Sequence, residues 1–187
     1  MNEDKELVKK ALQGEKKAFE MIIIKYQKPL LNYIARMVGE RELALDFTQE
    51  VFIKAYSSLN TFQLQYKFST WLYRIASNSV IDYWRKKKIT PLSLNQQSND
   101  GSERVPLQVP DDEPSVVQKF ELQEIRKKIE QALTNIPAHL RELFVWRHIN
   151  GLSYEEIAEI KELPLGTIKN RVFQAKEMIR KLLEEES

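Results

Sequence analysis

The sequence from Gly151 to Leu183 reads GLSYEEIAEIKELPLGTIKNRVFQAKEMIRKLL. It begins with a short helical pattern, passes through a tight connection at residues 161–164, and continues as a long amphipathic helix. Two helices joined in this way are typical of a helix-turn-helix, in which the second helix enters the DNA major groove and the first braces it. The segment therefore predicts helical structure and binding to DNA.

Local signals mark where both helices begin. Ser153 and Glu156 have the spacing of a capping box, in which each side chain accepts a hydrogen bond from the other residue's backbone N–H. Pro164 suits the first position of the second helix, because its missing N–H would have no partner there. We therefore predict one helix starting after Ser153 and another starting at Pro164.

The second helix has two distinct faces. Apolar residues recur at steps of three and four, which predicts one buried stripe. The stripe consists of Leu165, Ile168, Val172, Ala175, Ile179 and Leu182. Residues 169–181 contain five basic residues against one acidic residue. The candidates for DNA contact lie around the remaining faces and are Thr167, Lys169, Asn170, Arg171, Phe173, Gln174 and Lys176. An ordinary helical hairpin with a solvated basic face is the alternative from this segment alone.

Composition limits the fold class. The chain has 187 residues, five glycines and no cysteine, which excludes disulfides and thiolate chemistry. Strand-period alternation is absent, so we predict an all-α protein with two small helical domains, residues 1–88 and 115–187. The charged N-terminus does not resemble a signal peptide, and the apolar run 21–24 is too short to span a bilayer. We therefore expect a soluble, cytoplasmic protein without membrane insertion of its own.

Residues 89–114 differ in composition from both helical blocks. They contain four of the seven prolines and five acidic residues against one arginine. Such a segment buries too little apolar surface to offset the entropy lost on ordering. We predict a flexible acidic linker here.

The first block has the pattern of four helices, at about residues 3–13, 16–38, 41–58 and 69–88. One side of the third helix carries Asp46, Gln49, Glu50 and Ile53. Two carboxylates one turn apart could hold a metal ion, but no histidine or third acid is near in sequence. We favour a polar patch that docks on a partner.

The fourth helix combines aromatic, amide and basic residues. Leu72, Ile75, Ala76, Val80 and Tyr83 form its predicted buried stripe. Another face holds Trp71, Arg74, Asn78, Asp82 and Arg85, and Lys86 and Lys87 follow at its end. Aromatic rings can stack on unpaired bases while cations hold the backbone, and Phe62, Tyr66 and Phe68 in the preceding loop could form the walls of a site for an extruded base. Trp71 alone is also compatible with a core position, and we expect Asp82 to pair with a neighbouring cation.

Three segments resemble the extracytoplasmic-function (ECF) sigma factors of the sigma-70 family. DFTQEVFIKAY at residues 46–56 resembles region 2.2. FSTWLYRIA at residues 68–76, with Asn78 and Asp82-Tyr83 following, resembles the start of the helix that reads the −10 element. Residues 152–176 resemble the region 4.2 helix-turn-helix, including the Pro-x-Gly-Thr motif at 164–167. The three segments occur in the family's order.

The resemblance implies a function without catalysis, metal or cofactor. It implies that Asp46, Gln49, Glu50 and Ile53 dock on the coiled coil of the β′ subunit of core RNA polymerase, with further contacts to the β subunit. It implies −10 recognition by Phe62, Tyr66, Phe68, Trp71, Arg74, Asn78, Arg85, Lys86 and Lys87, and −35 recognition by the face of the last helix given above. It also implies that an anti-sigma protein controls the chain, and that the linker occupies the RNA exit path.

One departure from the family concerns the turn of the helix-turn-helix. Residues 161–163 lack the glycine or asparagine often found there. If Glu162 adopts a left-handed conformation, the strain is about 1 kcal/mol.

Two other classes of protein remain as alternatives. A self-sufficient helix-turn-helix regulator would need a dimerisation or effector domain, and the first block shows neither. A nucleic-acid enzyme would need a catalytic set, but His139 and His148, the only histidines, have no acid-rich or serine-based surroundings. The net charge of +2 is small for a protein that grips DNA alone.

Overall fold

The computed structural model describes residues 2–89 and 116–185, and the side chains of these except at 2, 88, 89 and 116–123. The predicted linker falls outside the described residues apart from Ile89. None of the described residues lies in a strand, which confirms the all-α prediction. No described helix is long and apolar enough to cross a membrane.

Eight helices are described, and their bounds follow in chain order. They are α1 Asn2–Leu12, α2 Lys16–Val38, α3 Arg41–Ser57, α4 Phe68–Ile89, α5 Val116–Asn135, α6 Ala138–Phe144, α7 Tyr154–Lys161 and α8 Leu165–Glu185. The first compact unit is built on α1–α4 and the second on α5–α8, with residues 158–162 grouped with the first. The first four bounds agree with the sequence prediction to within one residue.

The first unit is held by an aromatic-rich core and a polar tie between α1 and α2. Tyr33 and Tyr73 are buried and meet edge to face with ring centroids 5.6 Å apart. Asp4 in α1 accepts hydrogen bonds from the Lys25 ammonium at 2.6 Å and from the Tyr26 hydroxyl at 2.7 Å. Gly39 ends α2 in the left-handed region at φ 81°, and its N–H donates to Ala35 O at 2.8 Å. A residue with a Cβ would be strained in this conformation.

The predicted stripe of α4 is largely confirmed. Leu72, Ala76 and Val80 are at most 2% exposed, whereas Ile75 and Tyr83 are half-buried. The stripe therefore faces the core over three turns, whereas Arg74, Asn78, Asp82 and Arg85 on the other side of α4 are exposed.

In the second unit α6 continues into a π-helical turn, Val145–Ile149. The N–H of Asn150 donates to Val145 O at 2.9 Å, five residues back, and the Leu152 N–H reaches Trp146 O at 2.9 Å. Trp146 is fully buried. The wider turn thus buries Trp146 while its neighbours Arg147 and His148 lie toward the surface.

The cap of the helix-turn-helix is confirmed. The Ser153 N–H donates to Glu156 Oε2 at 2.7 Å, and the Glu156 N–H donates to Ser153 Oγ at 3.1 Å. Two otherwise unpaired amide groups at the start of α7 are therefore satisfied.

The start of α8 needs a small correction. The helix begins at Leu165, so Pro164 is not its first residue. The carbonyl of Pro164 accepts hydrogen bonds from Thr167 N–H at 2.9 Å and Ile168 N–H at 3.2 Å. Pro164 therefore occupies the N-cap position, and the helix begins one residue later than predicted.

Glu162 adopts the left-handed conformation anticipated for the turn, at φ 54°. Among the described non-glycine residues it alone has a positive φ. The turn between α7 and α8 is therefore made at the cost of strain at a residue with a Cβ.

We expect Glu162→Gly to unfold at a higher urea concentration than Glu162→Ala, because both lose the carboxylate and only glycine relieves the Cβ strain. The difference should be about 1 kcal/mol in the free energy of unfolding. Urea denaturation of the full chain followed by circular dichroism measures it. Equal stability of the two variants would show that the turn stores no strain.

Candidate nucleic-acid interface

The two faces of α8 separate largely as the sequence predicts, although Leu165 and Leu182 at the ends of the predicted stripe are half-buried. Ile168 and Ala175 are fully buried, and Val172 and Ile179 are at most 5% exposed. The opposite surface carries Lys169, Asn170, Phe173, Gln174 and Lys176, all exposed, with Thr167 and Arg171 half-buried beside them. Phe173 is 61% exposed. An apolar ring in this position is available to a partner, since it has no place in the core.

Three residues that the sequence analysis did not select lie beside this face. The guanidinium carbon of Arg147 lies 4.6 Å from the centroid of the Tyr154 ring, and the Lys169 ammonium lies 5.9 Å from the same centroid. Arg147 also donates to Leu152 O at 3.1 Å. The Arg147 guanidinium therefore enlarges the positive surface around Lys169, with the Tyr154 ring and the neighbouring His148 beside it. The π-helical turn that orients Arg147 has no clear sequence signal.

His148 adds less charge than its position suggests. Its ring lies 4.7 Å from Phe144, centroid to centroid. Desolvation by burial, and then repulsion from Arg147 and Lys176, lower the pKa of His148 below its ordinary value of 6.5. The imidazole is therefore mostly neutral at pH 7.

Not every cation of α8 is free for DNA. Arg180 lies 2.6 Å from Glu184 and 3.0 Å from Glu177, and these two carboxylates raise the pKa of its guanidinium. The charge of Arg180 is therefore largely neutralised, and Lys169, Lys176 and Lys181 are the other exposed cations of α8.

The second candidate surface lies on α4. Arg74, Asn78, Arg85, Lys86 and Lys87 are exposed. The Arg85 guanidinium lies 3.1 Å from Asp82, which confirms the expected partner for that carboxylate. The Arg85 guanidinium therefore neutralises the Asp82 carboxylate. Lys86 and Lys87 keep the end of α4 net basic.

Lys87 is held by aromatic rings rather than by an acid. Its ammonium lies 5.2 Å from the Trp84 ring centroid and 5.6 Å from that of Tyr83. It also lies 3.4 Å from the Tyr83 hydroxyl. Cation–π attraction at such distances contributes about 0.5–1 kcal/mol at exposed sites.

The aromatic residues predicted to contact an extruded base differ in burial, and Phe68 is the first residue of α4. Phe62 and Phe68, predicted as walls for an extruded base, are only 6% and 2% exposed. Their rings meet at 5.5 Å, and each lies within 5.5 Å of the Trp71 ring. The cluster therefore supports the loop from within. Tyr66, at 45% exposure, is free to meet a base.

The predicted docking patch on α3 is exposed to solvent. Asp46, Gln49, Glu50 and Ile53 all face solvent, and Ile53 is 68% exposed. Leu45 and Tyr56, at 41% and 51%, continue the same stripe at helical spacing and were not selected from the sequence. We call these six residues the α3 docking surface. In the part of the chain that the structure describes, no group of acidic or histidine side chains could hold a metal ion.

Comparison with known proteins gives the family. Residues 22–89 match the model for Sigma-70 region 2, and residues 126–179 match the model for Sigma-70, region 4. The RNA polymerase sigma-H factor of Pseudomonas aeruginosa is 34% identical over 97% of this chain and 94% of its own length. The ECF RNA polymerase sigma-E factor of Haemophilus influenzae is 34% identical over 94% of this chain and 93% of its own.

The chain belongs to the ECF subfamily of the sigma-70 family. It is an RNA polymerase sigma factor that directs transcription initiation, and such factors are not enzymes. The α3 docking surface and α4 lie within the region 2 match, and most of α8 lies within the region 4 match.

Two solved structures share the fold. CnrH, solved in complex with the cytosolic domain of CnrY, is 22% identical with a TM-score of 0.70 over 99% of both chains. RpoE of Bartonella quintana, solved with the anti-sigma factor NepR, is 22% identical with a TM-score of 0.67 over 90% of this chain and 98% of its own.

We expect Lys176→Gln to raise the pKa of His148 toward 6.5, because the substitution removes one of the two charges that repel the imidazolium. Lys169→Gln serves as the control, since Lys169 faces Tyr154 and does not act on His148. Histidine NMR signals titrated between pH 4 and 8 give both values. An unchanged pKa in Lys176→Gln would exclude proximity of these two groups.

Proposed function

We propose that this sigma factor docks on core polymerase through the α3 docking surface, reads the −10 element with α4, and reads the −35 element with α8. The observation that carries the proposal is the division of α8 into an unbroken buried stripe and an exposed basic face within the region 4 match.

For the −35 element, we assign base contacts to the exposed face of α8 and backbone contacts to its flanks. Lys169 and Asn170 lie near the N-terminal end of α8, which is the end of a recognition helix that usually reaches base edges. Phe173 is suited to a thymine methyl group. Arg147 and Tyr154 lie beside Lys169 and are suited to phosphates. The remaining contacts are assigned to Thr167, Arg171, Gln174 and Lys176.

For the −10 element, we assign an exposed set of residues on α4 and the preceding loop. Asn78 is suited to hydrogen-bonding a base edge, and Tyr66 to stacking on an unpaired base. Trp71, Arg74, Arg85, Lys86 and Lys87 complete the set. Burial of Phe62 and Phe68 gives them a supporting role in place of base contact.

For core polymerase, we assign the α3 docking surface. It joins exposed apolar side chains, Ile53 and Tyr56, to the carboxylates of Asp46 and Glu50. An apolar centre with a polar rim is the usual anatomy of a protein interface. Following the family, the coiled coil of the β′ subunit is the proposed partner, with the β subunit contacted elsewhere. Because core polymerase is cytoplasmic, we place the action of the chain there.

The small net charge supports recognition inside an assembly. Affinity for duplex DNA depends on neutralising phosphates. A chain of net charge +2 has little excess positive charge with which to do so. A self-sufficient repressor or activator would shift promoter duplex in a gel without polymerase. We expect a shift only when core polymerase is present.

We further propose that an anti-sigma protein holds the chain inactive. The support comes from the two proteins of the same fold, one solved with NepR, an anti-sigma factor, and the other with CnrY. Affinity purification of the tagged chain from its own cells, compared with the Ile53→Asp variant, tests whether an inhibitor binds the α3 docking surface.

We expect the double substitution Lys169→Ala and Arg171→Ala to abolish −35-dependent transcription, because two cations proposed to contact DNA in the major groove are lost. Loss of each good contact costs about 1–3 kcal/mol, so the double variant should lose at least about 30-fold in promoter affinity. In vitro transcription with purified core measures this. Core binding, measured in parallel, should stay unchanged, and a loss there would contradict the assignment.

We expect the double substitution Gln49→Ala and Glu50→Ala to weaken binding to core without unfolding the first unit, since both side chains are exposed. Competition against wild type for core polymerase measures affinity, and circular dichroism checks the fold. Glu20→Ala, an exposed carboxylate on α2, is the matched control. Retained affinity in the double variant would remove α3 from the interface.

A further inference from the structure

Lys54 lies between two of the surfaces assigned above. Its ammonium lies 2.8 Å from Oε1 of Glu50 and donates a hydrogen bond to Oγ of Ser79 at 3.1 Å. Glu50 belongs to the α3 docking surface, and Ser79 directly follows Asn78 on α4. One side chain therefore joins the docking surface to the helix assigned to the −10 strand.

The chemistry of the ammonium suits this double contact. A lysine has three N–H donors and no acceptor, so it can hold a carboxylate and a hydroxyl at the same time. Ser79 is only 7% exposed, whereas the side chains of Lys54 and Glu50 keep 47% and 48% of their surface. The ammonium therefore links an exposed carboxylate on α3 to a buried hydroxyl on α4.

The Lys54–Glu50 pair lies within one helix, and its further hydrogen bond to Ser79 distinguishes it from the other short-range ion pairs of the described residues. Lys9–Glu6 and Lys127–Glu124 are exposed pairs within one helix, and such pairs contribute little. Lys54 reaches a residue 25 positions away on another helix. It therefore relates two helices to each other.

We propose that Lys54 is a positioning residue that couples docking on core polymerase to capture of the −10 strand. It holds Glu50 and Ser79 in one relative arrangement, so that a partner fixing Glu50 also favours one placement of Asn78. The inference rests on the proposed function for its assignment of Glu50 and Asn78. Coupling between two binding sites is reciprocal. If core polymerase raises the affinity of the chain for the strand by some factor, the strand must raise its affinity for core polymerase by the same factor.

The test measures this factor directly. The dissociation constant of the full chain for core polymerase is determined with and without a single-stranded oligonucleotide that carries the −10 sequence of a promoter transcribed by the wild-type holoenzyme. We expect the oligonucleotide to tighten wild-type binding about fivefold or more. Lys54→Met and Ser79→Ala should each lose most of this gain. Lys54→Arg, which keeps the charge and the donors, should retain it.

Two controls separate coupling from general damage. Phe47→Leu loosens the packing of α3 on α4, where the Phe47 and Tyr83 rings lie 5.4 Å apart, but leaves the Lys54 contacts in place. Lys28→Met removes an exposed lysine of α2. Both should keep the wild-type factor, even if Phe47→Leu lowers stability, because the factor is a ratio of two affinities of the same variant.

The outcomes are distinguishable. A wild-type factor in Lys54→Met, or in Ser79→Ala should the methionine variant fail to fold, overturns the coupling. If Glu50→Gln binds core as tightly as wild type, the docking assignment itself fails. If Glu50→Gln weakens core binding while Lys54→Met keeps the full factor, the proposed function stands and this inference alone is wrong.

Discussion

The burial of one continuous apolar stripe on α8 determines which of its residues can meet DNA. Ile168, Val172 and Ala175 are at most 2% exposed, and burying a large aliphatic side chain stabilises a fold by about 1.5–3 kcal/mol. Surface cations contribute far less to folding. The core therefore sets the rotation of the helix, and the basic face points outward as a consequence. The same reasoning applies to α4, where Leu72, Ala76 and Val80 are buried and Asn78 is left outside.

The features that the sequence predicted well are those encoded by neighbouring residues. Helix α2 has the predicted bounds, Lys16–Val38, because Gly39 ends it through a conformation that glycine adopts without strain. The hydrogen bonds between Ser153 and Glu156 need only a spacing of three residues. The family could also be predicted from the sequence, because its motifs are contiguous segments of α3, α4 and α8.

The features that sequence reasoning missed depend on packing between segments. Phe62 and Phe68 have the composition of a base-binding loop, yet their rings fill a cluster with Trp71 that no periodic pattern reveals. Tyr154 and Arg147 are brought together by a π-helical turn, which has no compositional signature. Leu45 and Tyr56 appear as isolated apolar residues until the α3 helix places them in line with Ile53.

The aromatic support of Lys87 bears on how the end of α4 meets a flexible DNA strand. A free lysine side chain loses up to about 2 kcal/mol of rotamer entropy when it is immobilised. Contact with the Tyr83 and Trp84 rings restrains the Lys87 stem before any strand arrives, so part of that loss has already occurred on folding. The Lys87 side chain is thus partly ordered before DNA binds. A lysine without such ring contacts would lose all of this entropy on binding the strand.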